Sequence, residues 1–418
     1  MVAAHTAIWA IAGVSIALML FRPFGVPEVV WTFAGALLLC VARLISWGHA
    51  AHAVAEGLDV YLFLTGMMLL SELARAHGVF DWLASIAVQR ARGSSTRLFT
   101  LIYGVGVVVT TLMSNDATAV VLTPAVLTAV KRAEARPMPC LLTCALIANA
   151  ASFVLPISNP ANLVVFDSAM PPLGKWLAMF LLPSAASILV TYFLLRWYSR
   201  KDLAQPCRAA DGNLTPTAAG RISLCGILAV AAVLLIASAL RWNLGLPTCL
   251  AALAVTTIVL IREKASPLYL VRAISWSVLP LVAALFVIVE AVKGAGALHF
   301  LQTALSWAGH GSSVLATLAV GGAVGIGTNL VNNLPLGLIT GAAIQSAPAH
   351  VLLSKAVLIG IDLGPNLSIT GSLATILWLI AIRREGMEVT GTQFLKAGML
   401  IMPPALLLAL LTGLLVSR

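Results

Sequence analysis

Four polar segments stand out in this chain because each lies inside an apolar run. They are Ser114-Asn115-Asp116-Ala117-Thr118, Pro156-Ile157-Ser158-Asn159-Pro160-Ala161-Asn162, Thr328-Asn329-Leu330-Val331-Asn332-Asn333-Leu334-Pro335 and Asp362-Leu363-Gly364-Pro365-Asn366-Leu367-Ser368-Ile369-Thr370-Gly371-Ser372. Proline removes a backbone donor and clashes with the preceding turn, so the second and fourth segments break a helix that carries them. A broken helix offers N–H groups at one half-helix end and C=O groups at the other. Such ends hold a polar solute or a cation without a full charge from the protein. Asn, Ser and Thr add adaptable donors and acceptors. The predicted substrate-binding set is therefore Ser114, Asn115, Asp116, Thr118, Ser158, Asn159, Asn162, Asn329, Asn332, Asn333, Asn366, Thr370 and Ser372. Asp116 and Asp362 are the only carboxylates inside the breaks. An intramembrane carboxylate is costly and functional by default, so both are candidates for proton coupling. The competing roles are helix–helix glue for the amides and hydroxyls and N-capping for the two aspartates.

The elements that must position these residues follow from composition. The 418 residues are 60% hydrophobic and 10% charged, with mean hydropathy +1.01, against about 25% charged residues in soluble proteins. Such a chain needs lipid as its solvent. Apolar runs able to cross about 30 Å of hydrocarbon recur from end to end. The first run lacks a basic leader, so no cleaved signal is expected. The stretches 97–131 and 313–346 are each broken at a polar middle, which predicts hairpins that dip into the membrane and return to the same side. The expected fold class is an all-α integral membrane protein of about ten transmembrane helices plus two re-entrant helical hairpins in two inverted repeats. The first repeat is 1–198, with its hairpin at 97–131 and a broken helix at 138–169. A cytoplasmic linker, 199–219, leads to the second repeat, 220–418, with a hairpin at 313–346 and a broken helix at 350–382.

Internal matches support this division. Glu72, Arg75 and Gly78 meet Glu290, Lys293 and Gly296, each 218 residues on. Gly93-Ser94-Ser95 meets Gly311-Ser312-Ser313 at the same offset, and Asn115 meets Asn332 at 217. Five crossings per half invert the second copy, and inverted repeats with discontinuous helices point to a secondary transporter. With this topology nineteen Lys and Arg fall on one side and six on the other, which makes the richer side cytoplasmic.

Other chemistries find little footing. The net charge of +10 follows the positive-inside pattern, so no nucleic-acid partner is expected. There is no phosphate-binding Gly-Lys-Ser/Thr loop, so no ATP hydrolysis is expected, and Asp116 and Asp362 stand in different repeats without a catalytic-motif context, so no enzyme activity is expected. The seven histidines make no helical metal pair, and neither a cofactor nor a metal is expected. Cys140 and Cys144 share a helix face and would suit a soft ion as thiolates; as small apolar residues they equally suit packing. Glu72 and Glu290 each have a base three residues on and read as interfacial ion pairs. Lys355 and Asp167 also read as interfacial.

The run Val331-Asn332-Asn333-Leu334-Pro335, then Ile361-Asp362-Leu363-Gly364-Pro365-Asn366 into Gly371-Ser372-Leu373-Ala374-Thr375-Ile376-Leu377-Trp378, closely resembles the bacterial arsenite permease family of the ion transporter superfamily. Asn115-Asp116-Ala117-Thr118-Ala119 through Leu122-Thr123-Pro124 is similar to that family's first hairpin. The resemblance implies export of arsenite and antimonite in exchange for protons across the bacterial inner membrane. It also implies pairing, in some members, with a cytosolic arsenite-stimulated ATPase. The chain departs from the family's well-known pumps, which carry Lys at the position of Asn366 and Asp near Asn149. The alternatives within transport are a sodium/proton antiporter or an organic-anion carrier of the same superfamily. Outside transport they are a membrane enzyme or a structural membrane subunit.

Overall fold

Apolar runs without water have to satisfy their backbone internally, and this chain does so with helices. A computed structural model describes residues 2–166, 170–208, 216–297, 299, 301–303, 313–346 and 351–416. Asp167, His310, His350, Arg418, Gly311-Ser312 and the middle of the 199–219 linker lie outside the described residues. In the first half come α1 (Val2–Phe21), α2 (Glu28–Val41), α3 (Trp47–Glu56), α4 (Leu58–Ala76) and α5 (Val79–Ala91). The first hairpin has limbs α6 (Ser95–Leu112) and α7 (Thr123–Arg132). The broken span α8 (Met138–Ala150) and α9 (Pro160–Phe166) follows, then α10 (Leu173–Tyr198) and the short α11 (Arg200–Leu203). The order recurs as α12 (Ala218–Ala239), α13 (Gly245–Glu263), α14 (Leu268–Ala273) and α15 (Val278–Val292). Hairpin limbs α16 (Ser313–Val331) and α17 (Asn333–Ser346) come next, then the broken span α18 (Val351–Leu363) and α19 (Leu373–Arg384), and α20 (Gly391–Leu415). The closing helices α10 and α20 carry internal prolines, Pro183 and Pro403-Pro404.

Eight described helices are long and apolar enough to cross a membrane, or nine if the bent pair α3–α4 is one span. Length alone undercounts the crossings and also includes two hairpin limbs, α6 and α16. The breaks cut one span into α8 and α9, of 13 and 7 residues, and α2 has 14 residues. Taking each broken span as one crossing gives α1, α2, α4, α8–α9 and α10, then α12, α13, α15, α18–α19 and α20. The short helices α3 and α5 are additions to the sequence reading.

The first hairpin turns back sharply. The hydroxyls of Thr110 and Thr118 lie 2.8 Å apart, whereas eight residues of straight helix rise about 12 Å. Asp116 N donates to Asn115 Oδ1 at 2.9 Å and Ala117 N to Ser114 Oγ at 3.1 Å, which starts the return limb. That limb opens with a π-helical turn, Ala117–Leu122, in which Thr123 Oγ1 donates to Thr118 O at 3.1 Å. Both ends of the hairpin are fastened to one segment. Cys207 N donates to Gly93 O at 3.0 Å and Ser95 Oγ to Gln205 O at 2.6 Å. Arg208 N donates to Ala133 O at 2.7 Å and Arg136 Nη1 to Asp202 Oδ1 at 2.6 Å. The limbs therefore begin and end on the same side.

The second hairpin is shown by its neighbours. Gly321 lies against Ala356 and Gly360, and Gly325 against Gly360 and Gly364. The contacts climb together, so α16 and α18 run in the same direction and α17 must carry the chain back. The approach is close enough that a Cβ on Gly364 would stand 2.3 Å from Gly325 O. Asn332, at φ 76°, makes the reversal, a left-handed conformation that Asn tolerates better than most residues.

Side chains close the polar gaps that the breaks open. Asn162 Nδ2 donates to Ser152 O at 2.9 Å, with Leu155 O and Pro156 O each at 3.3 Å. The indole of Trp176 donates to Phe153 O at 3.2 Å. In the second half Asn329 Nδ2 donates to Gly364 O at 3.0 Å. Without such partners a buried backbone group costs several kcal/mol, roughly, in hydrocarbon.

Candidate functional site

Three connected spaces lead from one face to the middle of the molecule. A vestibule of about 760 Å³ opens beside Arg22, Arg75 and Arg384, with Glu28, Glu72, Asp81 and Glu385 as its acidic lining. Arg22 pairs with Glu28 at 3.1 Å, and Arg75 with Glu72. The vestibule narrows to a neck of about 90 Å³, and the two share Glu72, Val120, Ser275, Val278 and Leu373. The neck's polar lining is Ser71, Glu72, Ser114, Asp116 and Ser275. Beyond it lies an inner cavity of about 30 Å³. Asn115, Asp116, Asn159, Asn333 and Ser372 give it a polar wall, and its apolar lining includes Leu64, Val282 and Leu373. Among the described residues no Lys, Arg, His or Cys lines the neck or the inner cavity.

The sequence explains why these five meet. Asp116 begins the return limb of the first hairpin, and Asn333 begins that of the second. Asn159 precedes α9, and its Oδ1 accepts from Ala161 N at 3.0 Å. Ser372 caps α19, accepting from Thr375 N at 3.1 Å. Four helix starts thus meet at one small space, and helix starts carry partial positive charge. Asp116 is the carboxylate that faces them.

The walls also show inversion. Ser71 and Glu72, late in α4, share the neck with Ser275 and Val278 at the start of α15. Leu64, earlier in α4, shares the inner cavity with Val282, later in α15. The two equivalent helices run in opposite directions past the site.

Behind the cavity lies a second layer. Asp362 is fully buried; its Oδ1 accepts from Asn159 Nδ2 at 2.7 Å, and its Oδ2 has no hydrogen-bond partner among the described residues. Asn149 Nδ2 donates to Asn366 Oδ1 at 3.0 Å, and Asn366 Nδ2 to Leu146 O at 2.9 Å. Ser372 Oγ donates to Asn149 Oδ1 at 3.3 Å, which ties this pair to the cavity wall. The two broken spans therefore hold each other through amides and hydroxyls together with the Asp362 carboxyl.

Of the sequence-predicted residues, Ser114, Asn115, Asp116, Asn159, Asn333 and Ser372 line the path. The others are engaged elsewhere. Thr118 bonds to Thr110, and Ser158 Oγ donates to Thr111 O at 3.0 Å. Asn162 sews the first break. Asn329, Asn332 and Thr370 sew the second, Asn332 Nδ2 donating to Thr370 O at 3.2 Å and Thr370 Oγ1 to Asn329 O at 3.0 Å. Asn366 sits behind the wall. The path also contains Glu72, Ser71 and Ser275, outside the predicted set. Glu72 had a signal, its match with Glu290, but its pairing with Arg75 suggested the interface. Lys355 is buried rather than facing the interface: its Nζ donates to Gly413 O at 3.4 Å.

Two broken spans and two re-entrant tips around a space reached from one face define a multi-pass secondary transporter, not an enzyme. A family model described as "Citrate transporter" (CitMHS) matches residues 8–362, and the chain belongs to that family. It is 25% identical over 422 residues to the arsenical pump membrane protein of Escherichia coli K12, covering 96% of each. It is 23% identical to a putative arsenical pump membrane protein of Bacillus subtilis, covering 95% of this chain and 96% of the other. The crystal structure of the Alcanivorax borkumensis YdaH transporter aligns with TM-score 0.49 at 15% identity, over 88% of this chain and 86% of that one.

Proposed function

We propose that this transporter exports arsenite or antimonite across the bacterial inner membrane in exchange for protons. In this reading the vestibule opens to the cytoplasm, the repeats are 1–198 and 220–418, and the linker 199–219 is cytoplasmic. A cytosolic arsenite-stimulated ATPase is the partner this reading allows on the basic face. The observation that carries the proposal is the lining of the neck and inner cavity: amides, hydroxyls, helix starts and carboxylates, with no cationic side chain among the described residues. Arsenous acid at neutral pH is a small uncharged trihydroxide, and such a lining bonds its hydroxyls without neutralising a charge. Citrate carries several negative charges at neutral pH and would meet Glu72 and Asp116 in the neck, where the nearby guanidinium of Arg75 is already paired with Glu72 from the vestibule side. The relatives named as arsenical pumps agree with the smaller, neutral solute. Neither Cys140 nor Cys144 lines the path, so recognition here is by hydrogen bonds rather than thiolates.

Everted membrane vesicles with an imposed proton gradient test this. Arsenite accumulation that collapses with the gradient and is indifferent to citrate is expected. Citrate accumulation without arsenite accumulation would replace the substrate assignment.

A further inference from the structure

We propose that Glu72 is a charge filter at the neck, admitting neutral solutes and turning anions back before they reach the inner cavity. The proposal deepens the functional reading above, since it rests on the neck being the substrate path.

The geometry of one ion pair carries it. Arg75 Nε donates to Glu72 Oε2 at 2.8 Å, and Nη2 makes a second, short bond to Oε1. The two partners sit on different sides of a boundary. The Arg75 side chain is 53% exposed and lines only the vestibule, while that of Glu72 is 10% exposed and lines both vestibule and neck. The guanidinium therefore faces the mouth and the carboxylate faces inward. Outside this point cations and acids are mixed: Arg22 and Arg384 stand with Glu28, Asp81 and Glu385. Inside it the charged lining among the described residues is carboxylate, Glu72 followed by Asp116. An anion crossing the neck passes two carboxylates in a narrow space where water screens them poorly. A neutral trihydroxide meets no such barrier, and its hydroxyls find acceptors on Ser71, Glu72 and Ser275.

A labelling experiment reads the filter without relying on transport. Native cysteines are replaced and Ala117, which lines the neck, is changed to Cys. Reaction in everted vesicles is compared for iodoacetamide, which is neutral, and iodoacetate, an anion of similar size. Iodoacetamide reports access, and the ratio of the two rates, corrected for their ratio on a free thiol, reports charge. With Glu72 intact the corrected ratio should favour iodoacetamide. Glu72→Gln should shrink that preference roughly tenfold, or about 1.4 kcal/mol, a fraction of what an unpaired charge about 4 Å away exerts at an effective dielectric near 20, because Arg75 offsets part of the Glu72 charge. Glu72→Asp should keep it, and Arg75→Gln should enlarge it. An equal ratio in Glu72→Gln and the parent, with iodoacetamide access retained, overturns the filter. Absence of arsenite flux in the parent would overturn the substrate reading alone, since the labelling ratio still decides the filter.

Discussion

The tips of the two hairpins share a plan and differ in charge. Asn115 of the first matches Asn332 of the second, 217 residues on, which sets Asp116 opposite Asn333. Both Asp116 and Asn333 face the inner cavity, yet only one of them can ionise. The tips also differ in how they are held. The second is lashed to the break that follows it: Asn332 to Thr370, Thr370 to Asn329, and Asn329 to Gly364. The first is built largely from its own residues, Ser114, Asn115 and Thr118, with Ser158 reaching Thr111. The two tips thus share a scaffold and differ in chemistry. In the proposed exchange for protons, the proton-carrying group would come from one repeat only. Asymmetry at equivalent positions, rather than the repeat itself, is where proton coupling is to be sought.

Removing that asymmetry should have the largest effect. Asp116→Asn keeps the shape and one acceptor but cannot titrate, and proton-driven arsenite accumulation in vesicles is expected to vanish while downhill exchange partly survives. If Asp116 also bonds substrate, a charged hydrogen bond of about 1.5–3 kcal/mol is lost, roughly a ten- to hundredfold fall in affinity. Retention of wild-type pH dependence would move the proton site to Asp362 or elsewhere. The converse change, Asn333→Asp, makes the tips alike by placing a second carboxylate on the same small cavity. Like charges disfavour joint ionisation, so flux should fall and its pH profile should move toward higher pH; an unmoved profile would separate the two tips functionally. Asp362→Asn should act more weakly, since the bond from Asn159 to the remaining oxygen can persist. A few-fold change in rate with an unaltered pH profile is expected, and loss of coupling would reverse the assignments of the two aspartates. The smallest effect is expected from the double change Cys140→Ala and Cys144→Ala, because both thiols are buried away from the path. Cellular arsenite resistance should stay near the parent level, and complete loss at normal expression would favour thiolate ligation.

The hairpins and breaks were legible because Pro, Gly and Asn punctuate apolar runs, and such residues have few roles at that depth. The short helices α3 and α5 were not, since each is too brief and too mixed in polarity to stand out from a loop. Within the site the difficulty was one of function for a given residue type. Asn159 and Asn162 lie three residues apart in one break, yet one lines the cavity and the other closes backbone gaps. Composition cannot separate a binding amide from a sewing amide, because both are satisfied by the same hydrogen bonds. Glu72 illustrates a second limit. Its i,i+3 spacing gave its partner correctly, but not which side of the pair faces inward. Asn149 shows the reverse: it lies outside the four polar segments, yet it bonds Asn366 and Ser372 within the fourth.

The fastening of both hairpin ends to residues 202–208 sets an order on biogenesis. Gly93, Ser95, Ala133 and Arg136 find their partners on a segment made 66 to 114 residues later. Until that segment leaves the ribosome, the first re-entrant pair has no lock at its base, and its polar tip is held by local bonds alone. The nascent first half should therefore stay open to proteolysis near 133–136 until Cys207 and Arg208 dock. Assembly of the site then becomes a late event in synthesis, completed only when α10 is already in place.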